Sequence, residues 1–576
     1  MNIFNQLKRD IVTVSTQLYN NPEIAATTNI EIPKDSFNGD LSSNIAMIIA
    51  AKENIPPRAV ALKFKEYLIK LPYIAAIEIA GPGFINFTIK ADSWHESIKD
   101  ILENEQKIFE VDIDKNKNIN LEYVSANPTG PMHIGHARGA VYGDVLARIL
   151  TKVGYKVTKE YYVNDAGSQI NDLVDTVILR YKEALGEKIT IPKGLYPGEY
   201  LIPLGQTLAQ EYGNKLLSMN EAERFKLIKS FAVQKMLELN KEDLKDLGIK
   251  HDIFFSEQQL HDNGEIDKTV KLLTDMGLIY EGVLPAPKGK VHEEWENRPQ
   301  KLFKSSNYGD SQDRSIEKAD GTWSYFASDL AYAKDKIDRG ANHLIYVLGA
   351  DHSGYVKRIE AIVKALGKDQ VKVDVKICQL VNFVENGVPV KMSKRLGNFA
   401  SVRDVSNEVG KDIIRFMMLT RQNDKPLDFD LAKVKEQSKE NPIFYVQYAH
   451  VRTLSILSKA METMPESYNS FEAGEYDLSL LSTEKEIEII KILASWTKIL
   501  EASAKYFEPH RMAFYLINLA SEFHALWNFG KENNDYRFVI EDNKELTTAR
   551  LALAKAIQKI IALGLEVIGV EPMTKM

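Results

Sequence analysis

Apolar residues recur every third or fourth position at the start of the chain, where Ile3, Phe4, Leu7, Ile11, Val14 and Leu18 are interrupted by Lys8, Arg9 and Asp10. That spacing predicts an amphipathic helix, without the continuous apolar stretch of a signal peptide. An extended pattern follows over Ile74 to Ile89, broken by the turn signal Gly81-Pro82-Gly83, so residues 1–115 read as a small α+β domain. From Asn118 strand and helix alternate: INLEYV, a Pro/Gly turn, a helix through Val141, Leu146, Ile149 and Leu150, then KVTKEYYV, Asn164-Asp165-Ala166-Gly167 and another helix. This rhythm predicts an α/β fold over 116–400, a doubly wound parallel sheet of Rossmann type. The charged, strand-poor stretch near 185–250 reads as a helical insertion. Strands resume with HLIYVLGAD from His343 and ICQLVNFVENGVPV from Ile377, in which Asn386-Gly387 marks a hairpin. Beyond 401 the pattern is almost wholly helical, a connecting segment over 401–441 and then an all-helical domain over 442–576.

Length agrees with several domains, since 576 residues exceed what one hydrophobic core serves. No apolar run is long enough to span a bilayer, so no membrane association is expected. A single cysteine, Cys378, rules out an intrachain disulfide and a cysteine-rich zinc site, and fits a reducing compartment; the cytoplasm is the expected location. The net charge of −7 neither supports nor refutes a nucleic-acid partner, because a local basic face suffices for phosphate.

Two short motifs carry candidate chemistry. Pro131-Met132-His133-Ile134-Gly135-His136 falls where the first sheet strand gives way to its helix. Helix N-termini at the carboxyl ends of such strands offer free N–H groups to phosphates. Gly135, lacking a Cβ, would let a flat base approach the backbone, and His133 and His136 can donate to phosphate oxygens. The second motif, Lys391-Met392-Ser393-Lys394-Arg395-Leu396-Gly397-Asn398, follows the hairpin. Its clustered cations could close over a polyphosphate and neutralise charge developing on a pyrophosphate leaving group. Alone, each has a bland alternative: surface histidines beside a turn, and a solvated basic loop.

Occurring in this order on opposite halves of one fold, the pair resembles the HIGH and KMSK motifs of class I aminoacyl-tRNA synthetases. Further runs resemble arginyl-tRNA synthetases specifically: Glu122 to Gly130, Tyr161 to Gly167, Tyr325 to Asp329, Gly349 to His352, and Asn441 through His450, with a terminal Met576. The resemblance covers essentially the whole chain. It implies ATP-dependent ligation of L-arginine to tRNA(Arg) through an arginyl-adenylate, by a monomer, with Mg²⁺ accompanying ATP and no zinc. It gives His133, His136, Lys391 and Lys394 the catalytic roles. It assigns Pro131, Gly135, Gly349, Asp351, Met392 and Ser393 to ATP, and Glu122, Asn127, Tyr325, Asp329 and His352 to arginine. A guanidinium is planar and always charged, so opposed carboxylates such as Glu122 and Asp329 suit it.

For RNA, Phe84 and Asn86 alternate with Ile85 on one extended segment and should face the same way. Tyr445, Tyr448 and Arg452 fall on one helical face. The resemblance places tRNA contacts at these positions and at Met576, and implies that tRNA must be bound before arginine is activated. The competing readings are another class I synthetase, with lysine as substrate, a small-molecule nucleotidyltransferase, and a non-catalytic tRNA-binding relative. The carboxylate pair argues against an apolar substrate, the long helical tail against a simple nucleotidyltransferase, and the four intact catalytic positions against a mere binding module.

Overall fold

A computed structural model describes residues 3–576 apart from 24–26, 34, 36–37, 105, 112, 114–115, 285–297, 368–369, 390–400 and 439. The first helix, Ile3–Tyr19, buries Ile3, Phe4, Leu7, Ile11 and Val14, as its spacing requires, and lies on the helix Pro57–Leu68. Beside them stands an antiparallel sheet of β1 (Ile30–Glu31), β2 (Leu41–Ser43), β3 (Ile74–Ala80) and β4 (Phe84–Ile89), in the order β1-β2-β4-β3.

The central sheet is fully parallel. β5 (Asn118–Glu122), β6 (Lys156–Val163) and β7 (Ile253–Ser256) run outward in one direction, and β11 (His343–Gly349) and β12 (Lys372–Cys378) in the other, giving β12-β11-β5-β6-β7. The chain therefore reverses its spatial progression between β5 and β11. In open α/β sheets this switch point opens a crevice at the carboxyl ends of the two strands. The helix Ile134–Lys152 leaves β5 from that crevice, and nearly every residue of its sheet-facing side is buried.

Two features depart from the sequence pattern. Between β7 and β11 lies a small antiparallel sheet of β8 (Ile279–Gly282), β9 (Gln300–Phe303) and β10 (Arg314–Ser315), which the pattern did not announce. The segment after 401 is not wholly helical either. β13 (Val381–Glu385) turns at Asn386-Gly387 into β14 (Val388–Pro389), as predicted, but β13 also pairs in parallel with β15 (Leu427–Asp430). The missed strands are two to four residues long, too short for a period of two to stand out.

The carboxy-terminal helices, from Pro442–Thr463 to Lys544–Val567, share one apolar core with the amino-terminal domain and the Ile134 helix. Polar joints lock the parts together. Buried Arg415 donates to the carbonyls of Ile568 and Leu247 at 2.9 Å each and to Asp144 at 2.6 Å, tying the end of the last helix to the Ile134 helix. His95 meets the Leu481 carbonyl at 3.0 Å, and Lys491 pairs with Asp40, so the amino-terminal domain is fastened to the helical one.

Candidate active site

β5 ends at Glu122, and the backbone then bends sharply. Val124 and Ser125 both have positive φ, 71° and 42°. Left-handed geometry is strained for a β-branched residue, at roughly 1–3 kcal/mol, and persists only where surroundings enforce it. Here the Tyr161 hydroxyl donates to the Ala126 carbonyl at 2.6 Å, and the Ser125 hydroxyl accepts from the Tyr162 amide at 3.0 Å. The bend delivers Asn127, whose amide donates to Gln169 at 3.0 Å, and then the HIGH segment.

His133 caps the Ile134 helix, and its ring stacks on His136 with centroids 3.8 Å apart. The His133 amide donates to Nδ1 of His136 at 3.2 Å, which places the neutral ring's proton on Nε2. One expectation is corrected. A Cβ on Gly135 would lie 2.9 Å from Cε1 and Nδ1 of His133, so that imidazole, not open space for a base, occupies the face of the backbone left by the missing side chain.

Lys391, Met392, Ser393 and Lys394 lie outside the described residues, but both ends of their segment are placed. β14 leads in at Pro389, and on return Ser401 bridges His133 while the Val402 amide donates to the Met132 carbonyl at 2.8 Å. Met132 gives its own amide to Asp243 at 2.8 Å. Arg403 reaches Glu242 at 2.9 Å, Asp246 at 3.3 Å and Asp243 at 3.5 Å, all on the long insertion helix Glu221–Asp246. Asp243 and Arg403 went unnoticed in the sequence, where they read as surface charges.

Across the switch point, β11 ends at Gly349, followed by exposed Asp351 and His352, whose side chains lie 3.4 Å apart. Pro131, Gly135, Gly349 and Asp351 thus flank the crevice from its two sides.

The carboxylates proposed for arginine differ in setting. Tyr325 is exposed at the start of the helix Tyr325–Asp338, and Asp329 follows one turn later. Glu122 is 6% exposed and not a free anion: its Oε2 accepts from Lys336 at 2.5 Å, and Ser125 reaches its Oε1 at a long 3.3 Å. Tyr162 joins the two sides. Burial pushes its hydroxyl well above the usual range, and the negative charges of Glu257, Asp329 and Glu122 around it push further. Tyr162, Glu257 and Lys336 thus adjoin the proposed carboxylates, a grouping that the sequence alone did not reveal. Among the described residues no three His, Cys, Asp or Glu side chains converge as a metal site. The donors present, imidazoles and backbone N–H groups, suit phosphate and not a bare divalent cation.

The RNA candidates are partly brought together. Phe84 is 40% exposed, but Asn86 is buried at 5%, its Oδ1 accepting from Ser42 at 2.7 Å, so the two do not present one surface. The reason is that β4 is an inner strand of its sheet, with β2 paired alongside at Asn86. In the helical domain the expected face does assemble. Arg452 lies 4.2 Å from the ring of exposed Tyr448 and 4.9 Å from that of Trp527, and donates to Nδ1 of His524 at 2.9 Å. Tyr445 packs its ring on His524 at 4.5 Å. Trp527, which periodicity alone could not separate from core, belongs to this cluster. Gln447 and His450 on the same helix hold the tail through the Glu571 and Met573 carbonyls, each at 2.8 Å, and Met576 is exposed beyond them.

Comparison with known proteins follows the same division. Residues 97–196 and 208–453 match the profile of the tRNA synthetases class I (R) catalytic domain. Residues 5–89 match the arginyl tRNA synthetase N terminal domain, and 446–576 the DALR anticodon binding domain. The chain is 85% identical over 576 residues to the arginine–tRNA ligases of Rickettsia bellii and of Rickettsia felis, covering 100% of each chain in both comparisons. Its fold superposes on the solved Thermus thermophilus arginyl-tRNA synthetase with a TM-score of 0.72 at 17% identity, over 100% of both chains.

Proposed function

Because the chain belongs to the arginyl-tRNA synthetase family, we propose that the crevice between β5 and β11 seats ATP beside arginine and that the residues described around it carry out the two steps. The activity is ligation of L-arginine to tRNA(Arg) through an arginyl-adenylate, with AMP and pyrophosphate released.

In the first step the arginine carboxylate attacks the α-phosphorus in line. No covalent enzyme intermediate is needed, so positioning and electrostatic stabilisation supply the rate. His133 and the Nε2–H of His136 donate to the phosphates at the helix N-terminus. Lys391 and Lys394 offset charge on the departing pyrophosphate, with Met392 and Ser393 against the nucleotide. Pro131, Gly349 and Asp351 hold the adenosine end, and Gly135 makes room at the helix N-terminus for the His133 imidazole. Glu122 and Asp329 accept from the guanidinium, Tyr325 walls the pocket, and Asn127 with His352 orients the α-amino and carboxylate end. Mg²⁺, normally used with ATP by this family, would supply charge screening for the phosphates that His133 and His136 hold.

Phe84, Tyr445, Tyr448, Arg452 and Met576 form the tRNA surface, with Asn86 supporting its strand through Ser42. Exchange of pyrophosphate into ATP awaits bound tRNA. The enzyme acts as a monomer in the cytoplasm; among the described residues no helix is long and apolar enough to cross a membrane.

The observation that supports the reading is the hydrogen bond from the Val402 amide to the Met132 carbonyl, since it brings the chain that follows the second motif against the first motif. Charging of total tRNA with each of the twenty labelled amino acids, by wild type and by Lys394→Ala, tests it. Arginine alone should be esterified, and the variant should lose about tenfold or more in adenylate formation, roughly 1.4 kcal/mol. A smaller loss would remove the loop from the mechanism.

A further inference from the structure

Beneath the crevice lies a buried charge network whose members are far apart in sequence. Lys336 is 1% exposed and sits between two tyrosine rings, 4.2 Å from that of Tyr332 and 4.1 Å from that of Tyr346. Its ammonium donates to Oε2 of Glu122 at 2.5 Å. Behind it, Glu160 is fully buried, and its charge acts on Lys336 without a hydrogen bond to it. Its two oxygens accept a fork from Arg339 at 2.8 and 2.9 Å, and Asn120 adds a bond at 2.7 Å. Arg339 also holds Asp335 at 2.7 Å. Burial alone would push the Lys336 ammonium down, but Glu122, with Tyr346 and Glu160 behind it, holds it raised and charged.

We propose that Lys336 is a positioning residue for arginine recognition, which fixes the Glu122 carboxylate by one oxygen, so that the other oxygen is presented to the guanidinium opposite Asp329. The inference rests on the reading that Glu122 contacts arginine. A carboxylate free to rotate would lose the fork geometry on which selection of arginine depends. Lys336 prevents that rotation: its stem is clamped by two aromatic faces, and its head donates to Oε2. Oε1 is left with only the weak Ser125 contact, which an incoming N–H can displace. The titratable groups that interact with Glu122 are Lys336 and Tyr332 from the Tyr325 helix, Tyr346 from β11 and Tyr162 from β6, and Asp329 acts on the same Tyr162 hydroxyl.

The test is steady-state ATP–pyrophosphate exchange with saturating tRNA, on Glu122→Gln, Lys336→Met and the double variant, each with its thermal unfolding measured. Glu122→Gln first checks the underlying reading: KM for arginine should rise at least about tenfold with KM for ATP within about twofold, and no rise would discard that reading. Given the rise, Lys336→Met should raise KM for arginine by a similar factor, with KM for ATP within about twofold. In the double variant, where the buried pair is replaced by neutral groups, KM for arginine should equal that of Glu122→Gln alone. A Lys336→Met effect that strikes ATP and arginine equally would overturn the proposal. So would a double variant in which the two losses multiply, and this second readout stands even where Lys336→Met alone is too unstable to assay.

Discussion

The backbone N–H of Val402 donates to the carbonyl of Met132 at 2.8 Å, so the chain leaving the KMSK segment is stitched to the chain entering the HIGH segment. The chain that follows the second motif and the start of the first are thereby one structural unit, completed by Asp243 beneath and Arg403 beside it.

Asp243→Ala should therefore damage both folding and activation. It leaves the buried Met132 amide without its acceptor and removes one of the three carboxylates around Arg403, at a cost of about 2 kcal/mol in stability. Arg403 is partly exposed, and Arg403→Ala should cost about 1 kcal/mol or less. Urea unfolding compares the two. Equal and small losses would mean that Asp243 does not support the motif.

The joint at Arg415 predicts a larger effect. Arg415→Met leaves the buried Asp144 carboxylate with only the half-exposed Arg148 as cation partner and the Ile568 and Leu247 carbonyls without their donor, and should cost about 3 kcal/mol. Gly569→Ala attacks the same joint from the other side. Gly569 has a φ of +73°, and an added Cβ would lie 2.3 Å from the Arg415 guanidinium. Thermal melts of both variants should show the same domains loosening; a melt unchanged by Gly569→Ala would show that the joint has slack.

Much of this arrangement was legible beforehand. The long periodic elements, the helix at Ile134 and the strands at Lys156 and His343, needed only their own residues. So did the HIGH and KMSK segments, because their residues are contiguous. The supports were not legible, since each joins distant parts of the chain: Lys336 lies 214 residues from Glu122, Asp243 lies 111 from Met132, and Arg415 lies 271 from Asp144. In sequence each is one charge among many. Asn86 failed for a related reason: alternation tells which residues share a face, but not that a neighbouring strand would bring Ser42 against it.

Acid should destabilise the fold through its buried histidines. His251 is packed against the rings of Tyr123, Tyr161 and Phe254, and burial pushes its imidazole down to about 4. His524, beside Arg452, is likewise pushed down by burial to about 4. For a base with a depressed folded value, the contribution is fully present above the unfolded value near 6.5 and is lost as pH falls from there toward 4. Each histidine contributes on the order of 3 kcal/mol over that window. Urea midpoints taken between pH 7.5 and 4.5 should fall, and His251→Phe should flatten the decline. Constant midpoints across the range would contradict the assignment.

The cluster at Tyr448 predicts a defect confined to RNA. Tyr448→Ala removes an exposed ring on the guanidinium of Arg452 and should raise KM for tRNA by about tenfold or more, the scale of one lost base stack of about 1–3 kcal/mol. KM for ATP should stay within about twofold. Charging kinetics at varied tRNA would show an unaltered KM if this face is not used.

The account turns on an anionic fork for the guanidinium at the mouth of the switch-point crevice, and Asp329 is its more accessible half. The most direct measurement is the arginine dependence of ATP–pyrophosphate exchange, with tRNA and Mg²⁺ saturating, for wild type and Asp329→Asn. The account predicts a rise in KM for arginine of about a hundredfold, roughly 2.7 kcal/mol, with KM for ATP unchanged. An Asp329→Asn enzyme with wild-type KM for arginine would contradict it.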